Sequence, residues 1–115
     1  MPGTRQDSGF TLVELMVVVL VIGILVAIAV PVFNISLVES HKRSCFANQR
    51  TVEGAYVSYV AFIGPTAPAF DDAGSLMAAI VPDFISAPPR CPSGGTYSWD
   101  RTGILNCSSE GHFHY

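Results

Sequence analysis

The spacing of apolar and charged residues divides the chain into parts of very different character. Residues 1–9 are mostly polar, whereas residues 15–38 contain no charged side chain. Within that stretch, the nineteen residues 15–33 include no side chain more polar than methionine or glycine. As a helix they would extend about 28 Å, close to the thickness of the hydrocarbon layer of a membrane. The pattern therefore predicts one membrane-spanning helix.

Beyond Asn34 the pattern becomes amphipathic. Apolar residues recur at steps of three and four, as expected for a helix with one buried face. The charged residues of this stretch lie at other positions and are assigned to the exposed face: Glu39, Lys42, Arg43, Arg50 and Glu53. Glu39 and Arg43 have the favourable order and spacing for an exposed helical ion pair. Gly64 and Pro65 are expected to end the helix. The predicted buried face consists of Val38, Cys45, Val52, Tyr56, Tyr59, Val60 and Ile63.

A nearly continuous helix is therefore predicted over residues 10–63, with a weak point in its first half. Gly23 lowers helix propensity and Pro31 removes a backbone donor, so a kink or a locally unwound turn is expected between them. Such a helix would be about 80 Å long at 1.5 Å per residue, too long for a domain of this size to bury. Its first half must find other partners.

The remaining residues predict a small head. A short helix is expected over residues 74–81, with Ser75 as its N-cap and Pro82 as its stop. Strands over residues 96–99 and 104–107 flank a type I turn at residues 100–103, a register that pairs Cys107 with Thr96. Four aromatic residues are expected in the core, namely Tyr56, Tyr59, Phe62 and Trp99. The predicted fold class is α+β: a long N-terminal helix, membrane-spanning and then amphipathic, with a C-terminal head that contains a short helix and a β-hairpin.

The start of the apolar stretch carries a specific motif. The segment Gly9-Phe10-Thr11-Leu12-Val13-Glu14 resembles the processing motif of type IV prepilins and type II secretion pseudopilins. In that family a membrane peptidase cuts after the glycine, the new N-terminal residue, here Phe10, is N-methylated, and an acid four residues later, here Glu14, is kept. The resemblance extends to Gly23 and Pro31, which fall where such pilins often carry a glycine and a proline. These residues are the expected processing (Gly9, Phe10) and assembly (Glu14, Gly23, Pro31) sites.

The second half of the chain resembles the short pilins of Gram-positive competence-type and related systems. The residues that carry this likeness are Cys45-Phe46-Ala47-Asn48-Gln49-Arg50, Cys91-Pro92-Ser93-Gly94-Gly95, and Cys107-Ser108 with His112. The resemblance implies a leader over residues 1–9, an apolar transmembrane and assembly helix over 10–34, and an amphipathic helix with a globular head over 35–115.

The resemblance also implies a location and a set of partners. The subunit would cross the cell membrane once, with its leader in the cytoplasm, and later join an extracellular filament of identical subunits. Its partners would be a prepilin peptidase and N-methyltransferase, an assembly platform with its ATPase, and the lipid bilayer before assembly. No enzymatic activity and no cofactor are expected. A net charge of −3 with no basic patch makes direct nucleic-acid binding an unfavoured function.

Three other interpretations apply to the N-terminal region. Residues 15–26 could be the apolar core of a secretory signal peptide, with Ala27-Ile28-Ala29 as its cleavage site. Thr11 and Glu14 also fit a capping box at a helix start. Lys42 and Arg43 follow the apolar stretch, so the positive-inside rule alone would favour the opposite orientation in the membrane. The prepilin resemblance overrides that rule.

The three cysteines all follow the apolar stretch, in the part that would be exported to an oxidising compartment. A disulfide between Cys91 and Cys107 is predicted, with Cys45 as a buried free thiol. A zinc site that combines these two cysteines with His112 and His114 is disfavoured, because the paired C-x-x-C spacing is absent. Neither Asp71-Asp72 nor any other group predicts a metal site.

The function classes that compete are a pilus for DNA uptake, adhesion or motility, a type II secretion pseudopilus, and a membrane-anchored or secreted binding module that never polymerises. Residues 107–115 lack the acidic, glycine-rich character of the calcium-binding segment of major pseudopilins, which favours a pilus. No arrangement of Ser, His, Asp or Cys suggests catalysis.

Overall fold

The computed structural model describes residue 3 and residues 9–115. In chain order these form helix α1 (Leu12–Ile63), helix α2 (Ala73–Ile80), strand β1 (Tyr97–Trp99) and strand β2 (Leu105–Cys107). The α+β layout of a long helix, a short helix and an antiparallel hairpin is confirmed. Most of the predicted leader, residues 1–2 and 4–8, lies outside the described residues.

Helix α1 begins and ends at local signals in the sequence. Glu14 N–H donates to Thr11 Oγ1 (3.2 Å) and Thr11 N–H donates to Glu14 Oε2 (2.9 Å), so a capping box forms at its start. At its end Gly64 has a φ of +83°, which glycine adopts without strain. The helix is continuous through Gly23 and Pro31, so the expected unwound turn is wrong. One proline removes a single donor, and the helical hydrogen bonds around it persist.

The chain divides into two compact units, Met1–Ser36 and Leu37–Tyr115. In the first unit, the described part of α1 is apolar and exposed along its whole length, with 72% of Ile35 accessible. In the second unit, the remainder of α1 packs against α2 and the hairpin. The ion pair between Arg43 Nε and Glu39 Oε1 is confirmed at 3.0 Å on the exposed face.

The core of the second unit joins α1, α2 and the hairpin. Its buried members are Val52, Ala55, Phe70, Leu76, Ile80, Trp99 and Leu105. The Tyr56 ring lies edge-on to Trp99 at 4.9 Å between centroids, and Tyr59 packs at the margin, so three of the four predicted core aromatics are confirmed. Phe62 is 80% exposed, and that prediction is wrong.

The predicted buried face of α1 is also too long at both ends. Val38 and Ile63 are exposed. The buried residues of the helix are Cys45, Gln49, Val52 and Ala55. The head is too small to cover the whole amphipathic stretch.

Helix α2 has a different N-cap from the one predicted. Asp72, not Ser75, is the cap: its Oδ1 accepts the Ser75 N–H at 2.9 Å, and the helix begins at Ala73. The backbone and side-chain hydrogen bonds from Ser75 lower the pKa of the exposed Asp72 carboxyl. An ionised carboxylate is a favourable N-cap, because it accepts a free N–H group of the first turn and its negative charge lies at the positive end of the helix dipole.

The hairpin forms where predicted, but its register is shifted by one residue. Cys107 pairs with Tyr97, and Leu105 pairs with Trp99, so the predicted pairing of Cys107 with Thr96 is wrong. The cause is the Asp100 carboxylate, whose Oδ1 accepts the N–H groups of Thr102 (2.9 Å) and Ile104 (3.1 Å). These bonds keep Ile104 inside the loop, so the second strand starts one residue later.

Candidate functional site

The expected processing position lies at an exposed part of the chain. Gly9 and Phe10 are both exposed, and Phe10 is 83% accessible. Among the described residues, a Cβ atom built on Gly9 would meet no atom within 4 Å. No described contact therefore requires glycine at position 9.

Glu14, the expected assembly residue, lies one turn from Phe10 and is exposed. In the isolated chain its Oε2 accepts the Thr11 N–H of the capping box. An ionised carboxylate offers two acceptor oxygens with several lone pairs. Glu14 is therefore able to hold the cap and also pair with a cation from outside the chain.

Gly23 and Pro31, the other expected assembly residues, both lie within the exposed apolar part of α1. A Cβ atom on Gly23 would also meet nothing within 4 Å. Helix α1 is long and apolar enough to cross a membrane, and none of its most apolar segment is buried within the described structure. The described structure is thus consistent with membrane anchoring through this helix.

A second group of chemically notable residues lies in the head. The Sγ atoms of Cys45, Cys91 and Cys107 and a ring nitrogen of His112 all lie within 4.8 Å of one another. All four residues are buried, with exposed fractions of 0%, 6%, 2% and 4%. The Sγ of Cys91 is 3.6 Å from Nδ1 of His112. These four residues are called the Cys₃His cluster below.

Each member of the Cys₃His cluster comes from a different segment. Cys45 lies on α1, Cys91 follows the proline-containing loop, Cys107 ends β2, and His112 lies in the C-terminal segment. Gln49 lies one turn after Cys45 and holds the C-terminal segment against α1. Its Nε2 donates to the backbone oxygens of His112 (2.9 Å) and Phe113 (3.1 Å).

Gly95 allows the close approach of Cys107. A Cβ atom at this position would lie 2.6 Å from Cys107 Sγ and 2.9 Å from Ser109 Cβ, distances that no side chain tolerates. The preceding Gly94 has a φ of +77° and its N–H donates to the Cys91 oxygen at 3.0 Å, which turns the chain back toward α1.

The surroundings shift the pKa values of Cys45 and Cys91 in opposite directions. Burial raises the pKa of Cys45 to about 12, although the Tyr97 hydroxyl donates to its sulfur at 3.6 Å. Burial opposes ionisation of Cys91 as well, but hydrogen bonds with His112 and with the backbone of Ser93 and Gly95 outweigh it and lower the pKa to about 6.

The cluster bears on the sequence-based hypotheses for the cysteines. All three cysteines are free and buried in the structure, so the Cys91–Cys107 disulfide remains a prediction. Cys45, expected to be separate, lies in the same cluster. His112 belongs to the cluster, whereas Nε2 of His114 contacts Glu53 Oε1 at 3.0 Å.

Two polar residues that anchor the C-terminal segment were not recognised in the sequence. Gln49 is fully buried. Glu53, assigned to the exposed face, accepts the Leu105 N–H at 2.9 Å and also contacts His114 and the Tyr115 hydroxyl. Gln49 and Glu53 follow Cys45 at steps of four, so their position on the buried side of the helix was a usable signal.

The comparison with known families concerns the N-terminal site. The family model described as the prokaryotic N-terminal methylation motif matches residues 4–30. That range includes Gly9, Phe10, Glu14 and Gly23. No curated protein and no solved structure matches the chain. The matched range contains the start of an exposed, apolar, membrane-length helix, and the two features together support a precursor of the type IV pilin or pseudopilin kind.

Proposed function

We propose that this chain is a structural subunit of an extracellular type IV pilus-like filament. It is cleaved after Gly9, N-methylated at Phe10, and polymerised through the apolar part of α1. The observation that supports this proposal is the exposure of the apolar surface within and just beyond the matched methylation motif. Before assembly the chain crosses the cell membrane once, and afterwards it lies in the filament.

The energetics of the apolar helix require a partner at every stage. Burying one Val, Leu or Ile side chain yields about 1.5–3 kcal/mol, and the first unit exposes many such side chains. In water this surface would drive aggregation. Lipid covers it in the precursor, and the same helices from other subunits cover it in the filament. The subunit performs no catalysis, and its role is to pack its apolar helix against those of other subunits.

The partners follow from these steps. A prepilin peptidase and N-methyltransferase acts at Gly9 and Phe10, and an assembly platform with its ATPase extracts the helix from the bilayer. The C-terminal segment favours a pilus over a pseudopilus, because residues 107–115 lack the acidic, glycine-rich character of a calcium-binding loop. DNA uptake, adhesion and motility are the candidate roles of that pilus.

The experiment compares two glycine substitutions in the precursor. Gly9→Val should leave uncut precursor in the membrane, because the peptidase must approach the backbone there. The matched control is Gly3→Val, since a Cβ atom at either glycine meets no described atom within 4 Å. The control should be processed and exported normally. If Gly9→Val is also processed and exported like the parent, the proposed function is wrong, and a non-polymerising anchored or secreted module becomes the better account.

A further inference from the structure

The Cys₃His cluster has no role in the processing or packing of the N-terminal helix. Its ligand set of three thiols and one imidazole is typical of structural zinc sites, in which four protein ligands surround the ion tetrahedrally. With Zn–S near 2.3 Å and Zn–N near 2.0–2.1 Å, a tetrahedral site places sulfur and nitrogen about 3.6 Å apart. The observed separation of Cys91 Sγ and His112 Nδ1 is 3.6 Å.

We propose that Cys45, Cys91, Cys107 and His112 bind one Zn²⁺ ion, which fastens the C-terminal half of the head to helix α1. Four protein ligands complete the tetrahedron, so the site is structural and leaves no open position for a substrate. Binding involves no redox step. Three thiol protons go to solvent, three thiolate sulfurs and the neutral imidazole bind the ion, and the site carries a net charge of −1.

The groups around the cluster suit thiolate ligands. The Tyr97 hydroxyl donates to Cys45 Sγ at 3.6 Å. Asn48 orients that hydroxyl, because its Nδ2 contacts Tyr97 Oη at 3.2 Å and also donates to the Arg90 oxygen at 2.9 Å. Such partners orient metal ligands and share the negative charge of their sulfurs.

The arrangement fits a metal ion better than a disulfide. A bond between Cys91 and Cys107 would use two of the four groups and leave Cys45 and His112 buried beside it without a function. Gly95 leaves room for Cys107 Sγ, which would lie only 2.6 Å from a Cβ atom at position 95. All four ligand atoms lie within 4.8 Å of one another, a convergence that a two-sulfur bond does not require. The absent C-x-x-C spacing does not oppose zinc, because the ligands reach the site from separate segments.

The test uses the full chain purified in detergent micelles, with no metal added, and measures zinc by inductively coupled plasma mass spectrometry. The parent should contain one zinc per chain, and after denaturation with a chelator all three cysteines should be alkylated. Cys45→Ser is the discriminating variant, because it removes a proposed ligand but leaves the proposed disulfide partners intact. It and His112→Ala should bind Zn²⁺ at least about 100-fold more weakly, the loss seen when even a hydrogen-bond partner of a ligand is removed.

His114→Gln is the matched control, since His114 lies two residues from His112 but contacts Glu53. It should keep one zinc per chain. A second measurement replaces the ion in the parent with Co²⁺, which should give the intense visible bands of tetrahedral thiolate coordination. Zinc-free parent protein, a Cys91–Cys107 disulfide in protein alkylated during lysis, undiminished zinc in Cys45→Ser, or a weak octahedral Co²⁺ spectrum would each overturn the proposal. None of these results depends on filament assembly, so the site and the proposed function are tested separately.

Discussion

The charge of Glu14 and its role as a helix cap can be separated by substitution. In the structure Glu14 Oε2 accepts the Thr11 N–H, and Thr11 Oγ1 accepts the Glu14 N–H. Glutamine serves as well as glutamate at this position of a capping box. Glu14→Gln therefore removes the charge and keeps the cap, whereas Thr11→Ala removes the hydroxyl half of the cap and keeps the charge.

The two substitutions should differ widely in their effect on assembly. If the Phe10 ammonium of a neighbouring subunit pairs with Glu14 in the packed bundle, Glu14→Gln leaves that ammonium buried and unpaired. Losing one partner of a buried ion pair costs about 3–5 kcal/mol, roughly 10²- to 10³-fold or more in subunit affinity. Loss of a Thr N-cap costs about 1 kcal/mol, roughly fivefold. Glu14→Asp keeps the charge and should retain part of the assembly.

The assay expresses each variant with and without the parent subunit and measures sheared extracellular filament against total membrane protein. Glu14→Gln alone should give far less filament than Thr11→Ala, with normal amounts of folded precursor in the membrane. Normal filament yield from Glu14→Gln would refute the charge pair. An equal or larger loss from Thr11→Ala would assign the role of Glu14 to the capping box.

Two further predictions concern the head, measured on the detergent-solubilised chain. Leu105→Ala should lower the free energy of unfolding by about 2–5 kcal/mol, because Leu105 is fully buried. The same substitution at the partly exposed neighbour Ile104 should lower it less. Trp99 fluorescence in a denaturant titration measures both losses, and equal losses would contradict the core assignment. Asp72→Ala should lower Tm at neutral pH. The folded-state pKa of Asp72 is depressed below 3.8, so the stability that its ionised carboxylate contributes is present above that value and is lost as pH falls through the folded pKa. The difference in Tm between parent and variant should therefore narrow in acid. A gap that widens in acid would show that the carboxylate is not the cap.

The parts of the fold that the sequence predicted are those set by local signals. The apolar stretch, the three- and four-residue periodicity and the Gly64-Pro65 stop define α1 within two residues at its start and at the residue where it ends. The hairpin strands were found from their turn. The register of the hairpin was not predicted, because it depends on the hydrogen bond that the Asp100 carboxylate accepts from the Ile104 N–H. A hydrogen bond of this kind inside a loop leaves no periodic signal in the sequence.

The N-terminal motif could be recognised in the sequence because Gly9, Phe10 and Glu14 lie within one short segment. The Cys₃His cluster was not predictable in the same way, since Cys45 meets Cys91 and Cys107 only after the head packs on α1. The choice between His112 and His114 also depends on tertiary contacts. Gln49 and Glu53 hold the segment that carries both histidines, so the position of His112 is fixed by buried polar contacts that a hydrophobic pattern does not show.

The most direct test of the central claim is the N-terminus of the protein in sheared extracellular filaments, determined by intact-mass and N-terminal fragment mass spectrometry. The expected chain starts at Phe10 and carries one added methyl group on its amino nitrogen. A chain recovered outside the cell that starts at Val30, or one that retains Met1 and remains in the membrane, would contradict it.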